Sequence, residues 1–424
     1  MEDWAYNNMK NKRIVITGIG ILSPIGIGKE AYWQGLKEGR SGTKLITVFD
    51  TSKFKIKTGG EITEFNAKEI LGRIGLVDLD RATTLLSSAM KLAIEDADLE
   101  INQNNAHRIG ISVGTTFGSL NSLSEFDKAC LVDGPNFVNP SRFPNTVINS
   151  PASRAAIRFG IKGFNTTISS GFCASSDAID YSIHALNFNR ADQILVGGVE
   201  EMSFQTFLGF YQLGYLSGLN KGSTSVSRPF DKSRDGIVFA EGSAVILLET
   251  LESAQKRKAK IYAEIASIAS NFDPFGFYKF NKQALGMSEA MISAFSGSGL
   301  VKEDIDCIFA NANSTKDADA IETRAINKAF DTYTKEIPIT AIKSMIGETY
   351  STSGIMNVAA AVGSFEKHFI PAIINYKTKD KDCSLKFILQ SLINIKFRHI
   401  MINCFDPRGA NTVIILKQFQ GGIR

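Results

Sequence analysis

The sequence predicts an α/β fold of stacked helical and strand layers, with mostly parallel strands. Three observations carry this. Short apolar, β-branched runs alternate with amphipathic stretches of helical period along the whole chain. The alternation occurs in both halves of the 424 residues, so the second half repeats the theme of the first. The composition, 44% hydrophobic and 21% charged, is that of a globular chain long enough for two large cores.

In the first half, residues 13–17 (RIVIT) read as an apolar strand followed by a glycine turn at Gly18-Ile19-Gly20. A GxG after a strand hints at a dinucleotide site. Here the third glycine of the fingerprint is missing and no ribose-binding acid follows at the required distance, so that reading is set aside. Residues 30–38 read as a short helix ending at Gly39, residues 81–99 as a longer amphipathic helix, and residues 144–159 as another. Strands are expected at 108–114, 165–169, 192–198 and 243–249. In the second half, strands are expected at 261–270, 305–310, 337–342, 399–405 and 412–417, with a helix at 282–295 and others between. The halves meet near 251–260, a charged helical stretch, which divides the chain into 12–250 and 251–420. The chain ends, 1–10 and 421–424, are the segments expected to be disordered.

The composition also excludes several classes. A net charge of +4 with dispersed Lys and Arg argues against nucleic-acid binding. Five cysteines without a CxxC pair argue against a zinc site or a disulfide framework and fit a reducing cytoplasm. The opening residues MEDWAYNNMKNKR lack an apolar h-region. No apolar run reaches the roughly 18 residues a membrane helix needs. The expectation is a cytoplasmic protein with no metal and no membrane contact.

The stretch most informative about chemistry is residues 165–188, NTTISSGFCASSDAIDYSIHALNF. A short strand leads into a tight turn of small residues, and a helical period follows. Cys173 therefore sits where a helix begins. Unpaired N–H groups and the positive end of the helix dipole favour a thiolate there, which is the nucleophilic form. The same N–H groups suit an oxyanion formed when a thioester is attacked. The plain alternative is a small buried cysteine at a strand–helix junction.

Five ordered motifs resemble the β-ketoacyl-ACP synthase family, on the thiolase fold, over nearly the whole chain: RIVITGIGILSPIG at 13–26, EGRSG at 38–42, FCASS at 172–176, RPFDKSRDGIVFAEGSAVILLE at 228–249 and IKSMIG at 342–347. The resemblance implies a thiolase-like five-layer αβαβα core from two duplicated halves, and usually a dimer. It implies acyl carrier protein as acyl donor, with the acyl group arriving on a phosphopantetheine arm and no resident cofactor. It also implies Cys173 as the acyl acceptor, with Phe172 beside it lining the substrate site. Asp231, Arg234, Asp235 and Glu241, within the long signature, are expected to form a buried polar network.

The remaining site positions depart from the family. Where the family reads IDYINAHGTSTPLGD, this chain reads IDCIFANANSTKDAD at 305–319, which puts Asn311 at the first family His. The second His, after KSMIG, is Glu348. The four histidines present, His107, His184, His368 and His399, match neither position and read as surface or structural residues. The C-terminal loop NSFGFGGTN aligns with residues 403–411, so that Pro407 replaces the phenylalanine whose N–H serves the oxyanion; Gly409 is carried over as a substrate-binding position, and Phe405 either lines the acyl tunnel or is an ordinary core phenylalanine. Proline has no N–H to give, and loss of one such donor typically costs about 3 kcal/mol of transition-state stabilisation.

Asn311 retains a side-chain donor. An ionised Glu348 repels an enolate, a protonated one donates as the lost His would, and a basic one serves Cys173 or an incoming nucleophile. The structural alternative pairs Glu348 with Lys343, which is otherwise expected to orient the Glu348 loop. Two functions follow. One is an acyltransferase of fatty acid or polyketide biosynthesis, with Cys173, Asn311 and Glu348 catalytic and decarboxylation altered. The other is a non-catalytic, chain-length-factor-like subunit beside an active ketosynthase. The dimer is accordingly either a homodimer or a heterodimer with another ketosynthase.

Overall fold

The computed structural model describes residues 12–220, 224–276 and 279–421. The terminal segments expected to be disordered lie outside the described residues, Gly421 excepted. The elements that position the site are strands β1 (Ile14–Ser23), β2 (Ile109–Gly114), β3 (Asn165–Ile168), β4 (Gln193–Glu200) and β5 (Gly242–Thr250) in the first half. In the second half they are β6 (Ala263–Phe272), β7 (Cys307–Phe309), β8 (Ile339–Thr340), β9 (His399–Phe405) and β10 (Ala410–Gln418). The helices are α1 (Lys29–Glu38), α2 (Arg81–Asp96), α3 (Ser150–Phe159), α4 (Ala174–Asn187), α5 (Leu285–Ser298), α6 (Lys316–Phe330) and α7 (Ser353–Lys367).

The strands run in the order β8-β7-β9-β10-β6-β1-β5-β4-β2-β3. Counted from the first strand of each half, both halves share one order, third-second-fourth-fifth-first. The two first strands meet antiparallel through Ile14 with Ile265, Val15 with Glu264 and Ile16 with Ala263. Helices α4 and α7 pack on each other and each touches strands of both halves. Helices α2 and α3 cover the outer face of the first half around Leu85, Leu86 and Ala152. Helices α5 and α6 cover that of the second around Met291, Ile326 and Phe330. The result is five layers, αβαβα.

Two sequence expectations change. The strands are mixed rather than mostly parallel: β2 runs parallel to β3 and β4, and β7 to β8 and β9, while the other pairings along the path are antiparallel. A tight connection such as the one between Phe405 and Ala410 can only join antiparallel neighbours. The second change is at Gly18-Ile19-Gly20, which is no turn. It lies inside β1, with a bulge between Ile16 and Gly18. A Cβ on Gly20 would lie 1.9 Å from the Ala89 carbonyl oxygen, and one on Gly18 would lie 2.5 Å from that of Ala93. These glycines let α2 lie directly on the strand.

Candidate active site

Strand β3 delivers the chain to a single 3-10 turn, Gly171–Cys173, and α4 begins at Ala174. Gly171 adopts φ +85°, which a side chain would strain. Cys173 occupies the N-cap position of α4 and is fully buried. Its Sγ donates to the carbonyl oxygens of Cys404 at 3.1 Å and Ala410 at 3.4 Å. Cys404 Sγ in turn donates to the Phe172 carbonyl at 3.3 Å. The expected thiolate is not favoured. Burial pushes the Cys173 pKa well up, and Cys404 and the carboxylates of Asp177 and Asp406 push it further. Desolvation of the anion outweighs the helix dipole here.

The β9–β10 turn closes over this thiol. Asp406 begins it, Pro407 takes the second position, and Gly409 N–H returns to the Asp406 carbonyl at 3.0 Å. This is the residue usage of a tight turn with Asp, Pro and Gly in order. Asp406 Oδ1 accepts from Arg408 N at 2.6 Å and from Arg408 Nε at 2.9 Å. Asp406 Oδ2 accepts from the Phe172 N–H at 2.6 Å and from Arg408 Nη2 at 2.9 Å. A Cβ on Gly171 would lie 2.0 Å from Arg408 Nη2. An ion pair thus seats on the Gly171–Cys173 turn. Gly409 is committed to the turn: its carbonyl accepts from Asp273 N at 2.8 Å, and a Cβ there would lie 2.2 Å from the Asp273 oxygen.

Asn311, Lys343 and Glu348 come together in a second cluster. Lys343 Nζ donates to Asn311 Oδ1 at 3.0 Å and to Glu348 Oε2 at 2.9 Å, with both side chains of the ion pair 1% exposed. Glu348 Oε1 accepts from Tyr350 N at 3.0 Å and Ser353 Oγ at 2.8 Å. The Asn311 N–H donates to Glu322. Among the described residues no hydrogen bond joins Cys173 to Asn311 or Glu348. The arrangement can hold a buried charge, and it leaves Glu348 fully engaged as an acceptor.

Phe172 packs against Tyr350, with ring centroids 5.2 Å apart, in an aromatic cluster with Phe207, Phe210 and Phe239. Phe405 belongs instead to the core of the second half, with Met287 and Ile321. The residues expected to share one polar network do so only in part: Arg234 Nη1 donates to the Asp231 carbonyl at 3.0 Å, and the others bond elsewhere. Arg234 pairs with Asp319 and Asp380, Glu241 pairs with Arg81, Asp231 accepts from Lys377 and Thr378 N–H groups, and Asp235 accepts from Ser217. Asp231 and Arg234 thus face the same 377–380 segment, while Glu241 and Asp235 face other parts of the chain. The histidines stand apart from Cys173: His184 faces Asp180, and His399 Nδ1 contacts the Asp304 carbonyl. His107 and His368 are exposed.

Sequence reasoning missed Asp406, Arg408, Cys404 and Tyr350. The departure of DPRG from a glycine-rich loop was a visible signal for the first two. Nothing local signals the others.

The family model "Beta-ketoacyl synthase, N-terminal domain" matches residues 11–254, and "Beta-ketoacyl synthase, C-terminal domain" matches residues 262–377. The chain belongs to the β-ketoacyl synthase family. Among curated family members, it is 34% identical over 414 residues to 3-oxoacyl-acyl-carrier-protein synthase 2 of Synechocystis, covering 97% of this chain and 100% of that one. It is 31% identical over 411 residues to the protein of the same name from Coxiella burnetii, covering 97% and 99%. Among solved structures, "The ishigamide ketosynthase/chain length factor" matches with TM-score 0.89 at 28% identity, covering 97% of this chain and 100% of that one. A β-ketoacyl synthase from Burkholderia phymatum matches with TM-score 0.87 at 25% identity, covering 96% and 100%. Among the described residues of this family member, no group of His, Cys, Asp or Glu could hold a metal ion, and no helix is long and apolar enough to cross a membrane.

Proposed function

We propose that this chain is a β-ketoacyl-ACP synthase-like acyltransferase of fatty acid or polyketide biosynthesis, in which Cys173 accepts an acyl group from acyl carrier protein and passes it to a second substrate. The observation that carries this is the place of Cys173: a sulfur at the start of a helix, in a chain aligned end to end with 3-oxoacyl-acyl-carrier-protein synthases. The acyl group arrives as a thioester on the phosphopantetheine arm, so no resident cofactor is required. The Cys173 sulfur loses its proton and bonds to the thioester carbonyl carbon; the carbon–sulfur bond to the arm breaks, and the departing thiolate takes up a proton. For the arm to reach Cys173, the Asp406–Arg408 turn has to lift from Gly171. Within this reading 12–250 carries the nucleophile and 251–420 carries Asn311, Glu348 and the turn. Phe172, Pro407 and Gly409 shape the substrate side, Lys343 holds Asn311 and Glu348 in place, and the protein works in the cytoplasm.

Decarboxylation of a malonyl group is altered in this reading. Lys343 holds both Asn311 and Glu348, so neither is placed as a neutral imidazole would be. Mass spectrometry of the intact protein after incubation with acyl carrier proteins tests the proposal. The expected result is an acyl adduct on the wild type and none on Cys173→Ala. No adduct with any carrier removes it.

One observation favours a second reading, a chain-length-factor-like partner subunit: the Cys173 thiol is fully buried, with the Asp406–Arg408 ion pair on the adjoining backbone, and in this reading Glu348, paired with Lys343, does no chemistry. The edge strand β3 and the exposed side chains Leu131, Val132, Phe137 and Phe143 offer the face for such a dimer. Co-purification with a fully equipped ketosynthase supports this reading, and turnover by a homodimer eliminates it.

A further inference from the structure

Tyr350 is fully buried and takes φ +51°, a backbone conformation rare for a bulky side chain. Such an outlier persists only where the surroundings impose it. Here Glu348 imposes it: one carboxylate oxygen holds the Tyr350 N–H and the Ser353 hydroxyl, and the other is held by Lys343. The Tyr350 ring stands at the centre of four others. It stacks on Phe210 at 5.0 Å and 14°, meets Phe172 at 5.2 Å, and meets Phe117 and Phe239 at 5.8 Å each. Phe172 immediately precedes Cys173. The sulfur has the carbonyls of Cys404 and Ala410 as its hydrogen-bond partners; Phe172 carries the aromatic cluster up to the Gly171–Cys173 turn, and Tyr350 fills the middle of that cluster.

We propose that Tyr350 is a specificity-determining residue that sets the upper length of the acyl chain Cys173 can carry, with Glu348 as the positioning residue that holds it in place. This rests on the acyl-acceptor reading above and names the substrate class within it: short acyl groups. A chain extending from Cys173 along the apolar cluster meets the Tyr350 ring, and a ring packed on several sides does not yield to an added methylene without strain.

The test separates the plug from the chemistry. Alkyl methanethiosulfonates of increasing chain length form a mixed disulfide with a cysteine sulfur and release methanesulfinate, with no need for enzymatic acyl transfer. Labelling of Cys173 in the full-length protein is followed by peptide mapping. In the wild type and in Tyr350→Phe, labelling stops at short alkyl groups. In Tyr350→Gly the limit moves to longer groups, with octyl labelling raised by about tenfold or more. Phe210→Ala, which opens the same cluster from the other face of the stack, moves the limit in the same direction and serves if Tyr350→Gly does not fold. An unchanged limit in the folded variants, or a Cys173 that no reagent reaches even there, overturns the proposal. If the limit moves while no carrier loads Cys173, the plug stands and the acyl-acceptor reading fails.

Discussion

The Asp406 carboxylate accepts the backbone N–H of Phe172 at 2.6 Å, one residue before Cys173. A negative charge thereby sits directly against the Gly171–Cys173 turn. The charge is balanced by Arg408 on the same turn, but it lies near enough to Cys173 to oppose formation of a second anion there.

Asp406→Asn keeps an acceptor for Phe172 and for the turn while removing the charge. Cys173 then ionises at lower pH, although burial still holds its pKa above the ordinary thiol value. The pH profile of Cys173 alkylation by iodoacetamide, read by mass spectrometry, is expected to move to lower pH. A profile that does not move refutes the electrostatic account.

Lys343 and Glu348 share one buried ion pair. Removing one partner leaves the other charge uncompensated in a low-dielectric interior, so Glu348→Ala is expected to cost about 3–5 kcal/mol of stability. The double substitution Lys343→Met, Glu348→Leu is expected to cost less than Glu348→Ala alone. Urea denaturation of the three proteins decides the matter; a single variant as stable as the wild type contradicts it.

Burial pushes the Glu200 carboxyl up to about 7 from 4.5, against the lowering effect of hydrogen bonds from Ser351 and Thr116. A raised carboxyl pKa means that the folded state binds the proton more tightly than the unfolded chain. Its stabilisation is complete below pH 4.5 and is lost as pH rises to about 7. Glu201 and Glu322, also raised to about 7, act in the same direction. Thermal denaturation at pH 5.5 and pH 8 is expected to show Glu200→Gln gaining on the wild type at the higher pH, by a difference on the order of 2–3 kcal/mol. An equal effect at both pH values contradicts the assignment.

Gly171→Ala meets both a left-handed backbone and the Asp406–Arg408 pair, which a Cβ would approach to 2.1 and 2.0 Å. The expected outcome is a loss of about 2 kcal/mol or more, since strain and displaced backbone add. Differential scanning calorimetry checks this; an unchanged melting temperature shows that the turn yields freely.

Much of the fold was legible because its signals are local. The strand at 165–169, the small-residue turn and the helix after Cys173 each follow from period and residue type. The repeated alternation of strand and helix announced two similar halves. Strand direction was not legible, because it depends on how the connections cross the layers. The Gly18 and Gly20 pattern misled because a glycine needed for a close helix contact looks the same in sequence as one needed for a turn.

For the site, the sequence alone determined which chemical groups are present: a cysteine at a helix start, an asparagine at 311, a glutamate at 348 and a proline at 407. These are statements about identity and spacing, which a linear chain contains in full. The tertiary structure decided their condition. It buried the Cys173 thiol against the backbone of Cys404, 231 residues away, spent Glu348 on Lys343 and on the backbone of Tyr350, and sent Phe405 into another core. The reason is that ionisation, access and partnership depend on what stands within a few ångströms, and those neighbours come from strands and helices that meet only when the two halves close on their shared central layer.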